Sequence, residues 1–194
     1  MIQKKNITAI LLAGGKSSRM GTDKGFVHLN GSPFASHIIE AVRPLVGQIM
    51  IVSTNTAYDV FKLKRVEDII RDAGPLAGLF TALFYSETTY NLVLSCDIPL
   101  INGAVLNQLI EGFDPETDVT QIQSNGKTMP LIAIYKKECM HACLDQLKNG
   151  ERRLQAAVAT LKTKTITLDP ELDPYVRNIN TINELKEIRN ELEH

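Results

Sequence analysis

The feature that most constrains this chain is a short apolar run, residues 7–13 (Ile-Thr-Ala-Ile-Leu-Leu-Ala), that ends in Gly14-Gly15. A run of this length without polar alternation suits a strand buried on both faces, as strands of parallel sheets are. Residues 49–52, 65–67 and 91–95 repeat the strand signal. Between them, residues 33–46, 56–62, 76–85 and 102–110 carry helical spacing, with Pro33 suited to a first turn and Asn102 to an N-cap. Strands alternating with helices imply a parallel sheet covered on both faces, with right-handed crossovers. The rhythm then changes. Residues 119–123 and 131–135 flank Ser124-Asn125-Gly126-Lys127, and Asn-Gly between apolar runs predicts a hairpin. Helices over 137–148 and 154–161, a strand at 166–168 and a helix over 181–192 complete the pattern. The expected architecture is a Rossmann-like, three-layer α/β/α fold, mostly parallel with a late antiparallel hairpin. Residues 1–191 are expected to form one domain.

Composition removes several functional classes. With 194 residues, 44% hydrophobic and 22% charged, the chain can bury a core without staples. Its net charge of −1 argues against a dedicated nucleic-acid binder, which needs a basic excess to displace counterions. Cys96, Cys139 and Cys143 are an odd set that implies no disulfide framework and suits a reducing compartment. No secretory leader is read at the N-terminus. The longest uncharged apolar stretch, 73–85, is too short for a bilayer and reads as a buried helix with Phe80 and Phe84 in the core. A soluble, cytoplasmic protein is expected. Leu192-Glu193-His194 look like the junction left before a histidine tag, so His194 is kept out of any site.

The segment that follows the first strand carries the chemistry. Glycines at 14, 15 and 21 let backbone amides approach an anion, and Arg19 and Lys24 add charge for phosphates. The segment is neither the Gly-x-Gly-x-x-Gly dinucleotide fingerprint nor a P-loop, which closes with Gly-Lys-Ser/Thr. A solvated surface loop is the plainer alternative, and two cations in a glycine-rich turn after a buried strand speak against it. A second constellation, Ser95-Cys96-Asp97-Ile98-Pro99, ends a buried strand in a carboxylate at the sheet edge where such folds bind ligands. On its own Asp97 reads equally well as a cap for the next turn. Beside a phosphate loop it reads as a Mg2+ ligand, because magnesium takes few protein ligands and completes its shell with phosphate and water.

Together these segments resemble the molybdenum cofactor guanylyltransferase family of Rossmann-like nucleotidyltransferases. The matching residues are Leu12-Ala13-Gly14-Gly15, Arg19-Met20-Gly21, Asp23-Lys24, Gly74-Pro75-Leu76-Ala77-Gly78, Cys96-Asp97-Ile98-Pro99, Gly150-Glu151-Arg152-Arg153 and Asn178-Ile179-Asn180-Thr181. They run in order from about residue 8 to residue 185. The resemblance implies that the backbone of Leu12, Ala13 and Gly14 reads guanine and ribose. It also implies Lys24 on the triphosphate, Asp68 on the guanosine, Mg2+ on Asp97, and Asn178 and Asn180 toward the pterin. Ser53 stands where the family often has an asparagine, with Asn55 nearby, and Met129 stands where some members carry histidine. The implied reaction moves GMP from Mg-GTP to the terminal phosphate of molybdenum-bearing molybdopterin and releases pyrophosphate. The implied partners are GTP, molybdopterin and proteins of the molybdenum pathway, with oligomeric state left open.

Two rivals stand beside this reading: a CTP-using or sugar-phosphate nucleotidyltransferase, and a non-catalytic nucleotide-binding regulator. Gly14-Gly15 and the Asn178–Thr181 motif favour the guanylyl branch, and intact Arg19, Lys24 and Asp97 favour an enzyme. Cys139, His141 and Cys143 look like metal ligands, but on a helix His141 points away from the cysteines, so they read as ordinary helix residues.

Overall fold

A computed structural model describes residues 2–14 and 22–193. The main sheet is built from β1 (Ile7–Leu12), β4 (Gln48–Val52), β5 (Lys64–Val66), β6 (Tyr90–Ser95), β7 (Val119–Ser124), β8 (Lys127–Lys136) and β9 (Thr163–Thr167). Their spatial order is β5-β4-β1-β6-β8-β7-β9. β5, β4, β1 and β6 run parallel, β8 is antiparallel to both β6 and β7, and β9 pairs parallel with β7. A small ribbon of β2 (His28–Leu29) and β3 (Ser32–Pro33) lies outside the sheet.

Alternation along each strand feeds two cores. On one face Ile7, Ala9 and Leu11 of β1 pack with Leu92 and Leu94 against α1 (Phe34–Val42) and α3 (Gly103–Glu111). On the other, Ile10, Leu12 and Val93 pack against α2 (Gly74–Tyr85), α4 (Cys139–Lys148) and α5 (Leu154–Val158). Both faces of β1 are thus buried, which is why its sequence is apolar apart from Thr8, whose hydroxyl is satisfied by that of Thr88 at 2.8 Å. A third cluster seats α6 (Ile182–Glu193) on the small ribbon and the start of α1 through Leu185, Ile188, Leu29 and Phe34. These layers and the late hairpin agree with the expected fold.

Several boundaries move, each for a local reason. The small ribbon turns on Asn30-Gly31, both at positive φ (49° and 82°), as an Asn-Gly hairpin turn requires. α1 stops at Val42, well before residue 46, and α5 stops at Val158. β9 begins at Thr163 although its outward residues are polar, because Lys164 and Thr165 lie at the sheet's edge. β8 continues through Pro130 to Lys127, since its pairing slips from Gln121↔Ala133 to Ile122↔Met129. The resulting bulge accommodates a proline that could not serve a regular ladder, and the Tyr135 hydroxyl donates to the Pro130 carbonyl at 2.7 Å. In α2 the residues 76–83 are buried, but Phe84 is 51% exposed and not in the core as expected. Its ring stands on the outer face of the helix beside Phe80 and Tyr85, while Ala82 and Leu83 of the same turn stay buried. Among the described residues no helix is long and apolar enough to cross a membrane.

Candidate functional site

Because β1, β4, β5 and β6 are parallel, their C-terminal ends deliver Leu12, Ser53, Asp68 and Asp97 to one edge of the sheet. The chain leaves β1 toward β4 on one side and later places β6 on the other. A crevice therefore opens above the β1–β6 pair, the usual ligand position in open α/β sheets.

Asp97 is the hub of that edge. Its carboxylate lies 3.2 Å from Lys24 Nζ, accepts from Asn178 Nδ2 at 3.0 Å, and accepts from the Ser95 hydroxyl. The Asp97 carbonyl accepts from the Ile179 amide at 2.8 Å, and Lys24 also donates to Asn180 Oδ1. Lys24 and Asp97 keep 21% and 14% of their side-chain surface exposed, so both remain open to a ligand. Asn178 and Asn180 face the same way from their extended segment, onto Asp97 and Lys24. Thr181 caps α6 by accepting from the Glu184 amide at 3.2 Å. The Glu184 carboxylate returns to the Asn180 and Thr181 amides at 2.7 and 2.9 Å. This reciprocal box holds the asparagines in place, and the Asn180 amide bond holds the Glu184 carboxyl below its usual range. Thr-x-x-Glu is legible in the sequence and would have located it.

Lys24 is aimed by its neighbour. Asp23 accepts from the Gly25 amide at 3.0 Å, from the Tyr58 hydroxyl at 2.6 Å and from Asn55 Nδ2 at 3.0 Å. Tyr58 is fully buried, and burial foremost pushes its hydroxyl far above the ordinary range, so it stays a donor. A Cβ at Gly25 would collide with Tyr58 Oη and lie 2.8 and 2.9 Å from two ring carbons. Gly25→Ala is therefore expected to cost about 2–3 kcal/mol through overpacking, seen as an earlier urea midpoint at unchanged slope. A midpoint equal to wild type would mean that this packing does not fix the turn.

Asp68 forms a separate nook. A Cβ on Gly14 would lie 3.7 Å from Asp68 Oδ2, and one on Gly78 3.7 Å from Asp68 Oδ1 and 3.7 Å from a Leu12 methyl. Gly14 and Gly78 thus flank the carboxylate on two sides. Asp68 Oδ1 is buried with no hydrogen-bond partner among the described residues, and burial raises the Asp68 pKa above the usual carboxylate range. Ser53 is buried, its hydroxyl accepting from the Asn55 amide at 3.1 Å and its carbonyl from Arg65 at 3.0 Å. Arg19 lies outside the described residues. Cys96 is buried, which foremost pushes its thiol to about 12, so it is no nucleophile.

Beside Asp97 an open cleft of about 1340 Å³ runs between the end of β6, the β7–β8 hairpin and α5. Ser95 and Asn178 belong both to its lining and to the Asp97 network. Lys127, Arg152, Arg153 and Arg177 make it basic. Gly74, at φ 73°, opens α2 into this cleft; a Cβ there would sit 3.1 Å from the Arg152 carbonyl. Ala73 at the N-cap of α2 offers no side-chain cap, and Pro75 has no amide N–H, so the first turn leaves few backbone donors to be satisfied. Cys139 and Cys143 pack into the core while His141 points to the surface, as the helical spacing predicts.

Residues 9–165 match the MobA-like NTP transferase domain. The chain belongs to that family. A probable molybdenum cofactor guanylyltransferase of Flavobacterium johnsoniae is 36% identical over 184 residues, covering 95% of this chain and 97% of the relative. A molybdenum cofactor guanylyltransferase of Cupriavidus necator is 32% identical over 197 residues, covering 96% and 98%. The crystal structure of molybdopterin-guanine dinucleotide biosynthesis protein A from Archaeoglobus fulgidus superposes with a TM-score of 0.81 at 23% identity, over 96% and 98% of the two chains. As a member of that family the chain is a nucleotidyltransferase.

Proposed function

We propose that this chain transfers GMP from Mg-GTP to the terminal phosphate of molybdenum-bearing molybdopterin, releasing pyrophosphate. The observation that carries the proposal is the position of Asp97. It lies between a nook with an unsatisfied carboxylate and a basic cleft, and is bound by Lys24 from one side and Asn178 from the other. Guanine presents adjacent donors, N1–H and the 2-amino group, to which Asp68 offers two acceptor oxygens. Leu12, Ala13 and Gly14 supply backbone along the base and ribose, with Ser53 at the adjoining strand end. The donor set at the centre is all oxygen with one carboxylate, which suits magnesium and not a softer ion. Bound there, Mg2+ would offset triphosphate charge and be held by Asp97.

The nucleophile is an ionised phosphate oxygen, so no general base is needed. Its new bond to the α-phosphorus forms as the bond to pyrophosphate breaks, and the chain's task is alignment and neutralisation of charge. Lys24 grips the triphosphate, and Arg19 meets charge on the departing pyrophosphate. Asn178 orients the acceptor, while Asn180 holds Lys24 beside it. Asn178→Ala should raise the acceptor KM severalfold at unchanged GTP affinity; Asn180→Ala should weaken both. Loss of GTP affinity on changing Asn178 would move that residue to the nucleotide. A cytoplasmic setting, dealings with other molybdenum-pathway proteins, and a single working domain over residues 1–191 belong to the same proposal. Calorimetric titration of GTP, CTP and ATP with magnesium tests it: GTP should bind at least tenfold more tightly than either. Equal affinities, or CTP ahead, would end the guanylyl assignment.

A further inference from the structure

Among the described residues lining the basic cleft, one is acidic. Asp173 sits in a 3-10 helix (Pro170–Val176) and accepts from the Ser124 hydroxyl at 2.5 Å across the cleft wall. Ser124 itself is buried. That bond takes one lone pair of Oδ1; no partner of Oδ2 is found among the described residues. A carboxylate in a cleft otherwise arranged for anions works against anion binding unless the ligand also brings hydrogen-bond donors. Oriented by Ser124, Asp173 offers two coplanar oxygens, the acceptor pattern matched by two adjacent N–H donors.

We infer that Asp173, held by Ser124, reads the amino-pyrimidinone edge of the acceptor's pterin and selects it over pteridines without the 2-amino group. This rests on the proposed acceptor. The spacing supports it. From Asp173 the helix rises roughly 2 Å per residue to Val176, and the extended chain adds at most about 3.3 Å per residue to Asn178. Asn178 therefore lies within about 13 Å of Asp173 along the chain, a span comparable to a pyranopterin with its phosphate arm. One end of the ligand meets Asn178 and Asp97, the other Asp173. Met129, Ile132 and Val176 belong to the lining of the same cleft. The pterin edge carries N3–H and the 2-amino group side by side. A lumazine, with a 2-oxo group, would set an oxygen against the carboxylate.

Two fluorescent probes test this on the full chain: 6-hydroxymethylpterin phosphate and the corresponding lumazine phosphate. Wild type should bind the pterin at least tenfold more tightly. Asp173→Asn keeps an oxygen for Ser124 but turns an amide N–H into the cleft, so it should level or reverse the preference at unchanged GTP affinity. A purely structural clasp between Ser124 and Asp173 would leave the ratio unmoved. Should Asp173→Asn be poorly folded, Asp173→Glu supplies the check: a carboxylate displaced by one methylene should shrink the pterin preference severalfold, and an unchanged ratio overturns the inference. A wild type that shows acceptor-dependent pyrophosphate release from GTP but no pterin preference overturns the role of Asp173 alone. A wild type that shows neither overturns the acceptor assignment beneath it.

Discussion

Asp97→Ala is expected to lose roughly a hundredfold or more in turnover while remaining folded. The carboxylate is the point where Lys24, Ser95 and Asn178 converge, and it is the hard oxygen donor at the centre of the edge. Removing it takes away the proposed magnesium ligand and frees Lys24 and Asn178 to reorient. The fold should tolerate the change, because the backbone bond from the Ile179 amide to the Asp97 carbonyl is untouched. Lys24, still partly exposed and bonded to Asn180, is not left as a buried bare charge. Thermal unfolding within a few degrees of wild type, with collapsed single-turnover rates, is the expected pair of results. Near-wild-type turnover at saturating GTP and magnesium would remove Asp97 from the reaction.

The second large effect is on the base. Asp68→Asn replaces two acceptors by one acceptor and one donor, so guanine's donor pair loses a partner and meets an N–H. Cytosine, with N3 as acceptor beside its amino donor, fits the amide better. The GTP-over-CTP preference should shrink by about 1–3 kcal/mol, or roughly tenfold to a hundredfold. Burial raises the Asp68 pKa, and the ionised form is the one that accepts from guanine. GTP affinity of wild type should therefore fall as pH drops through that raised value, and Asp68→Asn should lack this dependence. In the unliganded protein the sign reverses. A carboxyl whose folded pKa is raised destabilises the fold when ionised, so acidification relieves that cost and Asp68→Asn should unfold no earlier than wild type. A variant with unchanged triphosphate preference and unchanged pH dependence would place guanine elsewhere.

Much of this arrangement was legible in the residues, and what was not has physical causes. The run over residues 7–13 predicted β1 because a strand buried on both faces carries no polar alternation to disguise it. Asn125-Gly126 predicted the hairpin because φ values of 50° and 75° suit asparagine and glycine. The position of Asp97 at the sheet edge was legible because it follows the buried run of β6. The small ribbon was missed because its strands are two residues long and show no periodicity, although Asn30-Gly31 marked the turn. The 3-10 helix over Pro170–Val176 escaped because Pro174 inside it reads as a breaker. Tyr58, Ser95 and Asp173 act through partners 35, 2 and 49 residues away. Of these only the Ser95 contact is local, so the other two exist only after the chain has folded.

The most direct measurement is pyrophosphate release from α-labelled GTP, with and without molybdenum-bearing molybdopterin, following where the label goes. The account predicts release only with the acceptor present, one pyrophosphate for each labelled GMP joined to the pterin phosphate, and little release when CTP replaces GTP. Release that ignores the acceptor, or label transferred as readily from CTP, would contradict it.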